Sequence, residues 1–171
     1  MGAASSDVEK WDPGLTEHVV GLTWPIVKRY FRSQALGLDN IPPGGSLVVS
    51  NHSGGMVKLD LSVFATDFYD KFGYGRPLYA LGHDLLFTGP AAEFFERTGI
   101  IRATRDNAAK ALAAGGVVPA FPRRDYDAYR PSVQENVVGF VGCTGYVTTA
   151  IEAGVPMVPW YRSGDRRTSC T

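Results

Sequence analysis

Along residues 15–32 the apolar positions Leu15, Val19, Leu22 and Ile26 recur at the spacing of one helical face, and Val20, Trp24, Val27 and Phe31 form a second stripe beside it. The pattern predicts a broadly apolar helix. Pro25 has no amide hydrogen and its ring crowds the preceding turn, so it kinks this helix or splits it in two. Lys28, Arg29 and Arg32 stand at the C-terminal end, where the helix dipole favours cations. One use of such a helix is to cover a core, and the other is to lie on a membrane surface; an interfacial helix can also cap a core, so both can hold.

Downstream the pattern shortens and alternates. Residues 41–45, Ile-Pro-Pro-Gly-Gly, read as a turn, and Leu47, Val48 and Val49 as a short buried strand. Helical spacing returns over 61–72, followed by a strand at 77–81 and a helix at 91–97 that Gly99 stops. Ile100 and Ile101 make the next strand. Thr104 can cap a helix over 105–114, which closes at Gly115 and Gly116 before a strand at 117–121. A polar loop rich in Tyr, Arg, Asp and Pro runs from 122 to about 134, and a helix at 146–153 and a strand at 155–160 complete the pattern. Strands alternating with helices imply an α/β layer architecture, with a largely parallel sheet covered by helices on both faces. Sites in such sheets lie beyond the C-terminal strand ends. Asn51 and His52, the stretch 102–105 and the stretch 122–127 all fall there.

Composition narrows the classes. At 171 residues, with 44% hydrophobic, the chain suits a single core-forming domain. Residues 1–10 read as a flexible N-terminus, 11–160 as one domain opening on the amphipathic helix, and 161–171 as a polar tail. Seventeen basic against seventeen acidic residues give no overall field toward nucleic acid or anionic lipid, so any anion site is local. Cys143 and Cys170 fit neither a disulfide framework nor a zinc site. The first ten residues lack the basic start and apolar run of a secretory signal, which points to an intracellular protein. No apolar run reaches the roughly twenty residues that span a bilayer. A role at membranes would therefore be peripheral.

His52 is the strongest chemical candidate. It follows a buried strand and is flanked by Asn51, Ser53, Gly54 and Gly55, where bare backbone lets a substrate approach closely. A neutral imidazole can take a proton from a hydroxyl when a carboxylate holds its other ring nitrogen, and Asp60 is the nearest downstream carboxylate. His83 more plausibly caps the following helix, and His18 sits on a helix without a catalytic partner. Three scattered histidines do not suggest a metal site. No G-x-S-x-G elbow, P-loop or G-x-G-x-x-G occurs.

Asn51-His52-Ser53-Gly54-Gly55, then Gly99-Ile-Ile-Arg-Ala-Thr-Arg105, then Phe121-Pro122, then Val155-Pro-Met-Val-Pro159 resemble the four ordered blocks of the glycerol-phosphate and lysophosphatidate acyltransferases. The resemblance spans roughly 36–160 and implies a layered αβα fold. It implies acyl transfer from acyl-CoA or acyl carrier protein to a lysophospholipid, glycerolipid or other lipid hydroxyl, with no metal or other cofactor. His52 would be the general base and Asp60 its partner. Arg105, helped by Arg102, would bind the acceptor's phosphate or polar head. Asn51, Ser53, Gly54, Gly55, Phe121, Pro122, Arg123 and Arg124 would line the substrates. A peripheral position on the cytoplasmic face of a membrane follows from the lipid acceptor.

Two features depart from that pattern. The family's Asp stands five residues after the His, where this chain has Val57, and Arg123-Arg124 replace the Glu-Gly or Gly-Gly that normally follows Phe-Pro. Bulky residues in a glycine turn obstruct it. The fourth block is followed by only a short polar tail, which reads as a C-terminally shortened chain with little turnover. The second reading is thus an impaired relative that binds lipid or a partner without chemistry.

Overall fold

Leu47, Val48 and Val49 form the middle of β1 (Ser46–Ser50), whose two faces are both buried. This is the burial expected of a strand inside a parallel sheet. The structure, a computed structural model, describes residues 7–30, 32, 34–50, 59–121 and 144–160. β1 is followed by α2 (Leu59–Phe72), β2 (Ala80–Gly82), α3 (Ala92–Arg97), β3 (Ile100–Arg102), α4 (Arg105–Ala113), β4 (Val117–Ala120), α5 (Gly145–Ala153) and β5 (Met157–Trp160), while α1 (Pro13–Pro25) precedes it. These elements follow the alternation of the sequence closely.

β1 runs parallel between β4 and β5, with Val49 opposite both Ala120 and Pro159. β2 and β3 form a second parallel pair. Among the described residues the two parts are joined at one place, the Leu78–Val117 bridge. There the Tyr79 amide donates to the Val117 carbonyl at 2.8 Å, and the Val117 amide donates to the Pro77 carbonyl at 2.9 Å. The combined strand order is β3-β2-β4-β1-β5.

Alternate residues of a parallel strand address opposite neighbours, so the bonds of Val117 toward β2 mean that Pro119 also faces β2. Pro119 has no amide hydrogen to give, and ladder pairing between β2 and β4 goes no further than the single bridge. In β5, the Leu47 amide bonds to the Pro156 carbonyl, so Pro159 faces away from β1. That is the side where a missing donor costs no ladder bond.

The same alternation builds two core layers. Val48, Leu78 and Val117 point to a cluster with Val20 of α1, Phe64 and Phe68 of α2, and Val158. Leu47, Tyr79 and Val118 point to the opposite cluster, with Ile101, Ala111 and Leu112, and Ala150 of α5. Helices thus cover both faces of a mixed α/β sheet, as the sequence predicts. Phe64 packs on Trp160 with ring centroids 5.0 Å apart, so β5 is tied to α2 and Trp160 is partly covered.

Asp12 caps α1 by accepting the Leu15 amide at 3.0 Å, and Pro13 occupies the first turn, where no amide is needed. A hydrogen bond from Arg97, and then the Leu15 amide, hold the Asp12 carboxyl below its ordinary range. Pro25 ends α1, and the chain continues as a π-helical turn over Ile26–Tyr30. The predicted split is therefore a change of helix type. Arg32, at φ +49°, then turns the chain.

Two glycines are required by close approach. A Cβ on Gly45 would lie 2.2 Å from the Leu112 carbonyl oxygen, and one on Gly99, at φ +83°, would lie 2.5 Å from that of Leu78. No described helix is long and apolar enough to cross a membrane.

Candidate functional site

The three-stranded part of the sheet lines up its C-terminal ends. Val49 pairs with Ala120, so the segment after Ser50 and the segment beginning at Phe121 leave adjacent strands side by side. Ser50 pairs with Trp160 on the other flank. The first sequence block therefore leaves from the middle of the sheet, with the third block on one side and the end of the fourth on the other. Asn51, His52, Ser53, Gly54 and Gly55 lie outside the described residues, as do Pro122, Arg123, Arg124 and the tail at 161–171. Asp60 is the second residue of α2, in its first turn, and in the sequence the segment that holds His52 lies between Ser50 and this turn.

The second block is described in full. Gly82 pairs with Arg102, and the Ala103 amide donates to the Gly82 carbonyl at 2.9 Å, so the chain leaves β3 along a fixed path. Thr104 caps α4, its hydroxyl accepting the Asn107 amide at 3.2 Å. Arg105 is then the first residue of α4 and is exposed. Its guanidinium leans over the start of α5: a Cβ on Gly145 would stand 3.4 Å from Nη2. Arg105 makes no ion pair or hydrogen bond among the described residues.

Arg102 is engaged differently. Its Nη1 donates to Asp7 Oδ1 at 3.1 Å and lies 3.6 Å from Glu96 Oε1, and its guanidinium sits 4.9 Å from the centre of the Phe87 ring. Asn107 Nδ2 joins the cluster, donating to Asp7 Oδ2 at 3.0 Å and to the Arg102 carbonyl at 3.2 Å. Asp7 and Glu96 are both buried, and Lys10 pairs with Glu96 at 2.7 Å. Two carboxylates thus already compensate the charge of Arg102, whereas Arg105 has no carboxylate partner among the described residues.

This network also corrects the reading of the N-terminus. Asp7–Lys10, placed by the sequence in a flexible stretch, forms a 3-10 turn with Asp7 and Val8 buried. Its anchor is the Arg102 guanidinium, a partner 95 positions away that no local pattern could show. Removing a buried acceptor leaves the donors that bonded to it unpaired. Asp7→Ala is expected to lower unfolding free energy by about 1–3 kcal/mol in chemical denaturation, because Arg102 and Asn107 lose their acceptor.

The other two histidines lie away from this arrangement. His83 caps the 3-10 turn Asp84–Phe87, its Nδ1 accepting the Leu85 amide at 3.2 Å, as expected. His18 bonds through Nδ1 to the Gly14 carbonyl on the exposed side of α1.

A family model described as Acyltransferase matches residues 32–163. Uncharacterized proteins of Mycobacterium bovis and Mycobacterium tuberculosis are each 29% identical over 168 residues, covering 92% of this chain and 45% of their own length. One of Mycobacterium leprae is 30% identical over 141 residues, covering 77% of this chain and 36% of its own. The chain thus spans less than half the length of the curated relatives it matches. No solved structure matches it.

Proposed function

This chain belongs to the acyltransferase family, and we propose that it moves a fatty acyl group from an acyl-CoA or acyl carrier protein thioester to the hydroxyl of a lysophospholipid, glycerolipid or related lipid. The observation that carries the reading is the register of the sheet. It aligns the C-terminal ends of the strands that lead into the first and third blocks with the strand that contains the fourth, with Val49 opposite Ala120 and Ser50 opposite Trp160.

In this reading His52 removes the acceptor's hydroxyl proton as the oxygen attacks the thioester carbonyl. A C–O bond forms, the C–S bond breaks, and the leaving thiolate takes the proton back from the imidazolium, giving an ester and a free thiol. Asp60 holds the other ring nitrogen and so selects the tautomer that can accept the proton. No covalent enzyme intermediate is needed, and the rate comes from proton removal and from the alignment of two bound substrates. Arg105 receives the acceptor's anionic head, a task that suits a planar guanidinium with no carboxylate partner among the described residues. Arg102, held by Asp7 and Glu96, shapes the approach to Arg105. Asn51, Ser53, Gly54, Gly55, Phe121 and Pro122 line the substrates. The acceptor is met at the cytoplasmic face of a membrane.

The second reading, binding without turnover, rests on Arg123 and Arg124, which follow Phe121-Pro122 where the pattern of the resembled family has Glu-Gly or Gly-Gly. Thiol release from an acyl thioester, followed with phosphate-bearing and neutral lipid alcohols, separates the two. Turnover with any acceptor supports transfer; acceptor binding without thiol release supports the second reading. Arg105→Gln is expected to raise KM for phosphate-bearing acceptors about tenfold or more, with a smaller change for neutral ones, in line with loss of a charge-assisted hydrogen bond. Equal effects on both acceptor classes would remove Arg105 from the headgroup site.

A further inference from the structure

The helical segment before β1 presents two unlike sides. Thr16, Val20 and Val27 are buried, at 3%, 7% and 2% exposure, and Val20 belongs to the core layer shared with the sheet and α2. On the other side Leu22, Ile26 and Tyr30 are 76%, 52% and 79% exposed. Pro25, Ile26, Arg29 and Tyr30 line one shallow, open and almost wholly apolar groove. Apolar side chains gathered on one helix edge at such exposure mark an interaction surface, where scattered ones would not.

Charge identifies the occupant. The protein has no net charge, yet from residue 18 to residue 38 it contains no Asp or Glu while carrying Lys28, Arg29 and Arg32. Lys28 is not part of the surface, because its ammonium is held by the buried carboxylate of Asp67 on α2. Arg29 and Arg32 are exposed and make no ion pair among the described residues. Trp24, 37% exposed, directs its indole N–H to Asp70 at 3.1 Å. The Lys28 and Trp24 bonds fasten the segment to two successive turns of α2, so the ridge has a fixed orientation relative to the sheet. Aliphatic side chains that insert, aromatic ones with a polar tip and cations beside them match the headgroup boundary of an anionic bilayer.

We propose that Leu22, Ile26 and Tyr30, flanked by Arg29 and Arg32, form a docking surface for an anionic lipid bilayer. The aliphatic side chains enter the acyl boundary and the two guanidinium groups meet the lipid phosphates. Docking needs no turnover, so it stands or falls separately from acyl transfer.

The test uses the full chain with phosphatidylcholine vesicles, with and without added phosphatidylglycerol, and reads the bound fraction by flotation. Binding is expected to strengthen with phosphatidylglycerol and to weaken as ionic strength rises. Arg29→Gln with Arg32→Gln should reduce affinity for the anionic vesicles about 30-fold, at roughly a factor of five for each cation. Leu22→Ser, Ile26→Ser and Tyr30→Ser together should reduce it by more than about tenfold. Ile151→Ser, an equally exposed apolar site on α5, should change nothing. These positions are exposed, and a circular-dichroism melt confirms that each variant is folded. The proposal is overturned if the triple variant floats as well as the parent, or if binding ignores phosphatidylglycerol. It is also overturned if the parent self-associates through the ridge, or takes up a monomeric lysolipid there without binding vesicles.

Discussion

Substitution of His52 by alanine is expected to lower acyl transfer by about 10²–10⁴-fold, the usual contribution of a positioned general base. The melting temperature should change little, because the core layers are built from other elements: among the described residues, one from β1, β4 and β5 with α1 and α2, the other from β1, β3 and β4 with α4 and α5. Asp60→Asn should lower the rate in the same direction, since an amide can present a donor where the imidazole needs an acceptor. Thioester cleavage by purified parent and variants at saturating acceptor measures both. A His52→Ala protein that releases thiol at the parent rate would assign the base to another group.

The largest loss of stability is expected at Phe68. Its side chain is fully buried, with the Phe64, Tyr69 and Phe72 rings at centroid distances of 6.1, 5.3 and 4.9 Å. The Arg76 guanidinium lies 5.9 Å from its ring centre, while its Nη2 donates to the Pro42 carbonyl at 2.7 Å. Phe68 therefore joins α2, whose first turn holds Asp60, to the loop that feeds β1. Phe68→Ala removes the ring and leaves a cavity its stacked neighbours cannot readily fill, at a cost of about 3–5 kcal/mol. Phe94→Ala, on a ring 44% exposed, should cost less than about 1.5 kcal/mol. Urea midpoints of the two variants against the parent give the comparison, and equal shifts would mean that the aromatic cluster of α2 is not the centre of the core.

The fold was legible because its signals are local. Leu47 to Val49 between a Pro-Gly turn and a polar loop, the cap at Thr104 and the stop at Gly99 each act within a few residues, and each element formed where those signals put it. The strand at 77–81 was read nearly in place, but its division between a bridge to β4 and a ladder to β3 was not. That division depends on which neighbour Pro119 faces, and facing is settled only when strands assemble. The site was legible in part. Arg102 and Arg105 were marked from one block, and only the structure separates them: Arg102 has two carboxylate partners, and Arg105 leans on a glycine at the start of another helix. The partners are Asp7, 95 positions away, and Glu96, on the far side of a turn, and neither spacing leaves a trace in the sequence. Asn51, His52 and Arg123-Arg124 lie outside the described residues, so their roles rest on the sequence blocks and on the strands that lead to them.

The proline in β4 has a mechanical consequence. Because Pro119 offers no hydrogen toward β2, the sheet has a parting line at its C-terminal end, and the β2–β3 half is stitched to the rest by one bridge at the opposite end. A tilt of that half about Leu78 and Val117 would carry β3 and Arg102 with it without breaking a ladder hydrogen bond. Tyr79 packs against Gly116 beside that joint, so closely that a Cβ there would meet its ring at 2.6 Å. A side chain at position 116 would therefore press on the joint itself while leaving every strand's own pairing intact.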